Sequence, residues 1–286
     1  MFKYRHSMSR LLAPGGLALA SLALALSAAQ AQASDGTTSY FFPQNQGVAR
    51  VVSLGGSCRG CELSGQNLSG STITGANFIN ATLVAANLRG ATLVGSNFAN
   101  ADFTRADLRS AEVTGTNFNG ATLVGANLSG IEGTGVSLVG ADLQAATAIS
   151  AELTAANLRN ANLNRGRFSD SELNVARLDG ASAVAADFTD ANLTGASMIA
   201  GTFDRAVFRD ADLTRARLTL ASFAGADFRG ADLEHADLRG SDLSRARGLT
   251  QSQLSDACGD RATRLPAGLS VRACSAARRI VINRRD

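Results

Sequence analysis

Every fifth residue between Leu63 and Leu243 is large and apolar, with only Gly133, Ala148 and Ala183 breaking the series. Residues 76–100 read ANFIN ATLVA ANLRG ATLVG SNFAN, with Ala recurring two places before each Leu or Phe. No insertion or deletion disturbs the frame. A period of five matches neither the 3.6 of an α-helix nor the 2.0 of a strand. A helix would spiral its apolar stripe around the axis, and a strand would flip its face at each repeat. The period predicts a chain that turns a corner every five residues, with the central residue and the Ala two before it pointing inward. Gly is common two places after the centre, as at Gly75, Gly90, Gly95, Gly115, Gly125 and Gly130. It suits a corner because it tolerates backbone angles that other residues avoid.

The motif A(D/N)LxX, present as ADLRS, ANLSG, ADLQA, ANLRN and ADLRG, resembles the pentapeptide-repeat family over residues 58–247. The resemblance implies an all-β solenoid, a right-handed quadrilateral parallel β-helix with four pentapeptides per coil. About nine coils at the roughly 4.8 Å spacing of stacked strands give a rod on the order of 43 Å long. The sequence supports a twenty-residue coil independently. Phe78, Phe98 and Phe118 are twenty apart, as are Phe168, Phe188, Phe208 and Phe228. Each set should stack on one inner face, and the two faces should be opposite. The change of side passes through residues 131–150, where Gly133 and Ala148 empty central sites while Ile131 and Val136 enlarge the usual Ala sites. This reads as a size swap that keeps the core filled, and as the softest stretch of the rod.

A stacked coil has open ends that invite association, including end-to-end pairing of two copies, so caps are expected. Residues 34–57 form a linker and cap, with Tyr40, Phe41, Phe42, Val48, Val51 and Val52 available to cover the first coil. Residues 248–286 form the second cap: a short helix through about Ala257, announced by a capping-box pattern at Thr250 and Gln253, and then a basic tail. The cysteines are Cys58, Cys61, Cys258 and Cys274. Four cysteines allow three pairings. With one pair at each end of a rod about 40 Å long, Cys58–Cys61 and Cys258–Cys274 are the disulfides that fit within one molecule. Free redox-active thiols and a metal pair are the alternatives. Haem attachment fits poorly, because Glu62 stands where an attachment motif places His.

The first residues follow another logic. Lys3, Arg5, His6 and Arg10 precede an apolar stretch from Leu11 to about Ala28, and Ala29-Gln30-Ala31-Gln32-Ala33 offers small-x-small sites. Residues 1–33 read as a signal peptide cleaved after Ala33, with Ala31 as second choice. A membrane anchor fits less well, because Pro14, Gly15 and Gly16 interrupt the stretch. The expected location is periplasmic or secreted, where an even cysteine count favours disulfides. Loss of residues 1–33 leaves 24 Arg against 24 Asp plus Glu and no Lys. That balance argues against nucleic acid as a partner.

No catalytic constellation emerges. His235 stands alone at a corner, no Ser or Cys has a base beside it in sequence, and the Gly residues follow the coil rather than a phosphate loop. No cofactor or metal ligand set is predicted. One surface feature stands out: outward positions at intervals of twenty give Thr72, Thr92, Glu112, Glu132, Glu152, Glu172, Asn192, Asp212 and Asp232. Thr74, Thr114, Thr134, Thr154, Thr194 and Thr214 lie beside them. Adjacent like charges about 4.8 Å apart repel by roughly 0.9 kcal/mol in water, so Glu112, Glu132, Glu152 and Glu172 mark either a plain solvated face or one for a cation or basic partner. A second column, Asp170, Asp190 and Asp210, is expected to pair with Arg209 and Arg229. Together these features predict a non-enzymatic extracytoplasmic scaffold or interaction module for a protein or envelope component. The alternatives are a nucleic-acid mimic that inhibits a topoisomerase, as some members of the resembled family do, and a cation-binding rod.

Overall fold

The computed structural model describes residues 56–274. The expected signal peptide, the apolar cap residues Tyr40 to Val52 and the basic tail from Arg278 lie outside the described residues.

The five-residue period becomes a backbone that repeats one ladder residue, one inward residue, two turn residues and one further inward residue. Parallel bridges join residues twenty apart, from Ser57↔Asn77 through to Asp227↔Arg247. Four successive pentapeptides therefore complete one coil, and each residue lies over its counterpart in the coil below. Within the repeat Ala101–Arg105 all five amides are used. Ala101 closes the preceding turn on the Phe98 carbonyl at 3.1 Å, and Asp102 donates back to Ala81 at 2.9 Å. Phe103 and Arg105 donate forward to Thr122 and Val124 at 2.7 and 2.9 Å. The Thr104 amide, which no backbone carbonyl can reach, goes to the Asp102 carboxylate at 2.8 Å. This local bond explains why Asp and Asn recur at the ladder position: a short side-chain acceptor takes the one amide the coil leaves over.

The corners hold a left-handed backbone. Glycine meets it at no steric cost, but twenty non-glycine residues also adopt φ between 51° and 61°, including Val175 and Leu220. The corner is thus imposed by the stacked coils, and Gly is a preference there rather than a requirement.

The core is a column of Leu, Phe and Ala buried throughout. Phe78, Phe98 and Phe118 stack with ring centroids 4.9 and 5.5 Å apart. Phe168, Phe188, Phe208 and Phe228 do the same at 5.3, 5.2 and 5.1 Å. Rings from an adjacent side lock each stack edge-on: Phe103 meets Phe98 and Phe118, and Phe223 meets Phe208 and Phe228. Gly166 and Gly201 occupy inner Ala sites because a Cβ there would fall 2.5 Å from the Phe168 and Phe203 rings. In the swap zone Ile131 and Val136 are buried as expected, and a Cβ on Gly133 would already lie 3.0 Å from the Val113 methyl.

The C-terminal end departs from expectation. Thr250 and Gln253 exchange the bonds of a capping box: the Thr250 amide donates to Gln253 Oε1 at 2.8 Å and the Gln253 amide to Thr250 Oγ1 at 3.3 Å. No helix follows among the described residues, and 251–256 are turns and bends. The reason is tertiary. Leu254 and Ala257 are buried, and the Cys258 amide is drawn to the Ala236 carbonyl at 2.9 Å, so the chain rejoins the stack before a second helical turn can form. Strand β1 (Cys258–Gly259) then pairs in parallel with β2 (Arg272–Ala273).

Candidate binding face

The coil register brings the four predicted glutamates together. Glu112↔Glu132, Glu132↔Glu152 and Glu152↔Glu172 are consecutive parallel bridges, so their side chains leave one face in a single file. No described basic side chain reaches ion-pair distance of the four. The neighbouring threonines instead cross-link successive coils: Thr134 Oγ1 donates to Glu152 Oε1 at 3.0 Å and Thr194 Oγ1 to Asp212 Oδ2 at 3.0 Å. Asn192 Nδ2 donates to Glu172 Oε2 at 2.7 Å. Partial burial would raise the Asp212 carboxyl, but bonds from Thr214 and Thr194 outweigh it and hold the group below the usual carboxylate range. The strip therefore presents anionic oxygens, those of Glu152, Glu172 and Asp212 already held by hydroxyl or amide donors, an arrangement suited to cations or basic side chains.

The second acidic column behaves differently from expectation. Arg209 and Arg229 do not pair with Asp170, Asp190 or Asp210; they converge on Asp227. Asp227 sits at a ladder position, 1% exposed. Arg229 grips it through Nη2 at 2.5 Å and Nε at 2.9 Å, while Arg209 Nε donates at 2.8 Å from the coil below. Chiefly because of Arg229, and despite burial, its carboxyl is driven far below the normal range. The same Asp-x-Arg fork recurs at Asp107–Arg109 and Asp237–Arg239, where arginine hydrogen bonds again lower the acid. Sequence reasoning missed this cluster, although the ADFRG string and the twenty-residue spacing of Arg209 and Arg229 carried the signal. It also missed Ser71, Ser96, Thr116, Ser171 and Ser241, buried at inner small sites with hydroxyls donating to backbone carbonyls.

The expected cysteine pairs are at bonding distance, with sulfurs 1.95 Å apart for Cys58–Cys61 and 1.99 Å for Cys258–Cys274. Asp237 lies against the second pair, and the three side chains come within ligand distance of one another. Both sulfurs are committed to each other, however, and Asp237 to Arg239 at 2.5 Å, so the group offers no metal site. His235 sits at a corner, as expected, 3.2 Å from Glu234.

The model of the family "Pentapeptide repeats" matches the chain in eight copies, at residues 55–83, 81–120, 114–147, 151–190, 171–210, 186–225, 206–245 and 221–258. No curated protein matches it. Among solved structures it is similar to HetL, a pentapeptide repeat protein involved in heterocyst differentiation regulation from the cyanobacterium Nostoc. The identity is 31%, covering 67% of this chain and 84% of that one, with a TM-score of 0.42. It is also similar to QnrB1, a plasmid-mediated fluoroquinolone resistance protein, at 17% identity over 72% of this chain and 90% of that one, TM-score 0.27. A protein of the Arabidopsis thaliana thylakoid lumen matches at 24% identity over 52% and 74%, TM-score 0.17. With eight matches that together cover most of the stacked coils, the chain belongs to the pentapeptide-repeat family, whose members fold as right-handed quadrilateral β-helices.

Proposed function

We propose that this chain is a non-enzymatic, extracytoplasmic scaffold: a rod of about nine coils, fastened at each end by a cysteine pair, that presents side-chain columns to a protein or envelope component. The observation that supports it most is register. Bridges at a constant interval of twenty between Ser57 and Arg247 turn the outer positions into straight files, of which Glu112 to Glu172 is the most uniform in charge. Such a file matches a partner with regularly spaced basic groups better than it matches a small substrate. Family membership supports the non-enzymatic part, since members are generally structural or interaction proteins. Export rests on the basic, apolar and small-residue order of residues 1–33.

Affinity capture from envelope fractions, read by mass spectrometry, tests the reading. A specific partner should be retained by the wild type and lost by Glu132→Gln with Glu152→Gln. Turnover of a substrate by purified protein, abolished by one substitution, would overturn it. N-terminal sequencing of periplasmic protein should start at Ser34; cytoplasmic protein retaining residues 1–33 would remove the extracytoplasmic part.

Cation binding by the same file is the second reading, favoured by the lack of an ion-pair partner for the four glutamates among the described residues. Calorimetry with calcium should give heat that the double Gln variant lacks, and no heat with no change in melting temperature would sink it. The topoisomerase-directed mimic draws only on family membership. Arginine forks at Asp107, Asp227 and Asp237 cancel acidic charge that such mimicry needs.

A further inference from the structure

The stack of coils ends unevenly. On three sides a last layer is laid down: Asp227 bridges Arg247, Asp237 bridges Cys258 and Asp242 bridges Arg264. On the fourth side the ladder stops at Asp232, which bridges Asp212 below and no described residue above. The turns of 251–256 run there instead. Between edge and turn lies an open cleft of about 370 Å³, with Ala231, Asp232 and Glu234 on one wall and Ser252, Gln253 and Asp256 on the other.

The edge is only half paired. Gln253 Nε2 donates to the Phe228 and Ala231 carbonyls at 2.8 and 2.7 Å, standing in for a missing strand. One coil below, Leu213 and Arg215 donate to Asp232 and Glu234, each at 2.8 Å. Their counterparts, the Leu233 and His235 amides, have no acceptor among the described residues. No described arginine pairs with Asp232, Glu234 or Asp256, and the one described basic contact among the three is His235, 3.2 Å from Glu234. An exposed edge of this kind is a template for an added strand. This one asks for a strand that brings carbonyl oxygens to two amides and cations to three carboxylates.

The sequence after Cys274 has that composition: Arg278-Arg279, then the strand-favouring Ile280-Val281-Ile282, then Asn283 and Arg284-Arg285. Its starting point is fixed near the cleft. The Cys274 amide donates to Gly259 at 3.0 Å, and Arg272, two residues earlier, reaches the Asp256 carbonyl at 2.6 Å. Cys274 Sγ lies 3.6 Å from Asp237 Oδ1, one pentapeptide along the chain from Asp232, and the four residues from Cys274 to Arg278 span up to about 14 Å when extended. We propose that the segment Arg278–Arg285 of this same chain docks on the edge at Asp232, its backbone carbonyls taking the Leu233 and His235 amides and its arginines facing Asp232, Glu234 and Asp256. The inference stands apart from the scaffold reading: either can fail alone.

Amide hydrogen exchange tests it on three proteins: the full chain, a chain ending at Cys274, and the full chain with Arg278→Glu, Arg279→Glu, Arg284→Glu and Arg285→Glu. At low salt the Leu233 and His235 amides should exchange about tenfold or more slowly in the full chain than in the other two. Amides of the Phe188–Phe228 region should not change, which certifies the fold. A synthetic peptide of residues 277–286 should restore protection to the shortened chain. Should that chain fail to fold, the charge-reversed full chain decides alone. Equal exchange in all folded proteins would overturn the proposal. So would protection that survives loss of the arginines, or that disappears on dilution of the full chain, which would assign the edge to a second copy.

Discussion

In the string Ala-Asp-Phe-Thr-Arg, residues 101–105, each letter answers one backbone demand. Ala fits where the turn packs inward, Phe fills the column, Arg accepts the left-handed corner, and Asp takes the amide of Thr104. Where the fourth residue is Arg, the same Asp gains a forked ion pair, and at Asp227 it gains two arginines. Because Asp227 ionises more readily folded than unfolded, its contribution is present above the unfolded value, about pH 3.9, and is lost as pH falls through the lower folded one. Asp227→Asn should therefore lower stability by ~1–3 kcal/mol at neutral pH, with the difference shrinking below pH 4, read from urea melts across pH 2–7. The corners offer the opposite case. Val175 is β-branched, exposed and held at φ 52°, a conformation costing about 1–2 kcal/mol for an L-residue. Val175→Gly should stabilise the fold by ~0.5–1 kcal/mol after the entropy that Gly forfeits, read as a higher urea midpoint. The Asp/Asn preference was legible as a family motif, but its cause was not, because the free amide at the fourth position appears only once the coil's other bonds are counted.

At the scale of one side of one coil, packing is decided vertically. A ring at Phe208 touches Phe188 and Phe228 at 5.2 and 5.1 Å and Phe223 at 6.0 Å, so its fit depends on residues fifteen and twenty places away. The twenty-residue spacing made these stacks legible before any coordinates. The side-to-side locking by Phe103 and Phe223 was not, since it depends on how rings tilt across a corner. The swap zone yields a specific test. Gly133→Leu should destabilise by ~1–3 kcal/mol by overpacking against Val113 and Leu153. If the large Ile131 compensates for the empty site at Gly133, adding Ile131→Ala should recover a measurable part of that loss in thermal melts. If the double variant is no better than the single, the swap is not compensatory. The lost helix teaches the converse lesson. Thr250 and Gln253 formed the predicted cap, yet a local start signal cannot extend a helix when Cys258, five residues on, is held by Ala236 in the coil below.

For the whole molecule, stability follows nearest neighbours along one axis, as expected for stacked repeats. The ends therefore matter more than their length suggests. Cys258 and Cys274 enclose a loop with a sequence separation of 16, for which chain entropy gives about 3 kcal/mol. Cys258→Ser with Cys274→Ser should accelerate amide exchange across residues 259–273 while leaving the coils between Phe78 and Phe208 unchanged. Uniform acceleration would show that the cap governs the whole rod. The placement of these pairs at opposite ends was legible from cysteine positions and an approximate rod length. The cleft at Asp232 was not, because it arises where the frame stops and no periodic argument applies.

The constant interval between bridged residues also sets the grammar of length change. Removing twenty residues from the middle takes out one storey and returns every later side chain to the wall it already occupied. Removing five turns everything beyond the cut by a quarter: Glu172 would leave the line of Glu112, and the phenylalanine columns would meet the wrong neighbours. A lineage built this way can lengthen or shorten freely in units of a full storey while its walls keep their chemistry, whereas a single pentapeptide gained or lost repaints all four at once.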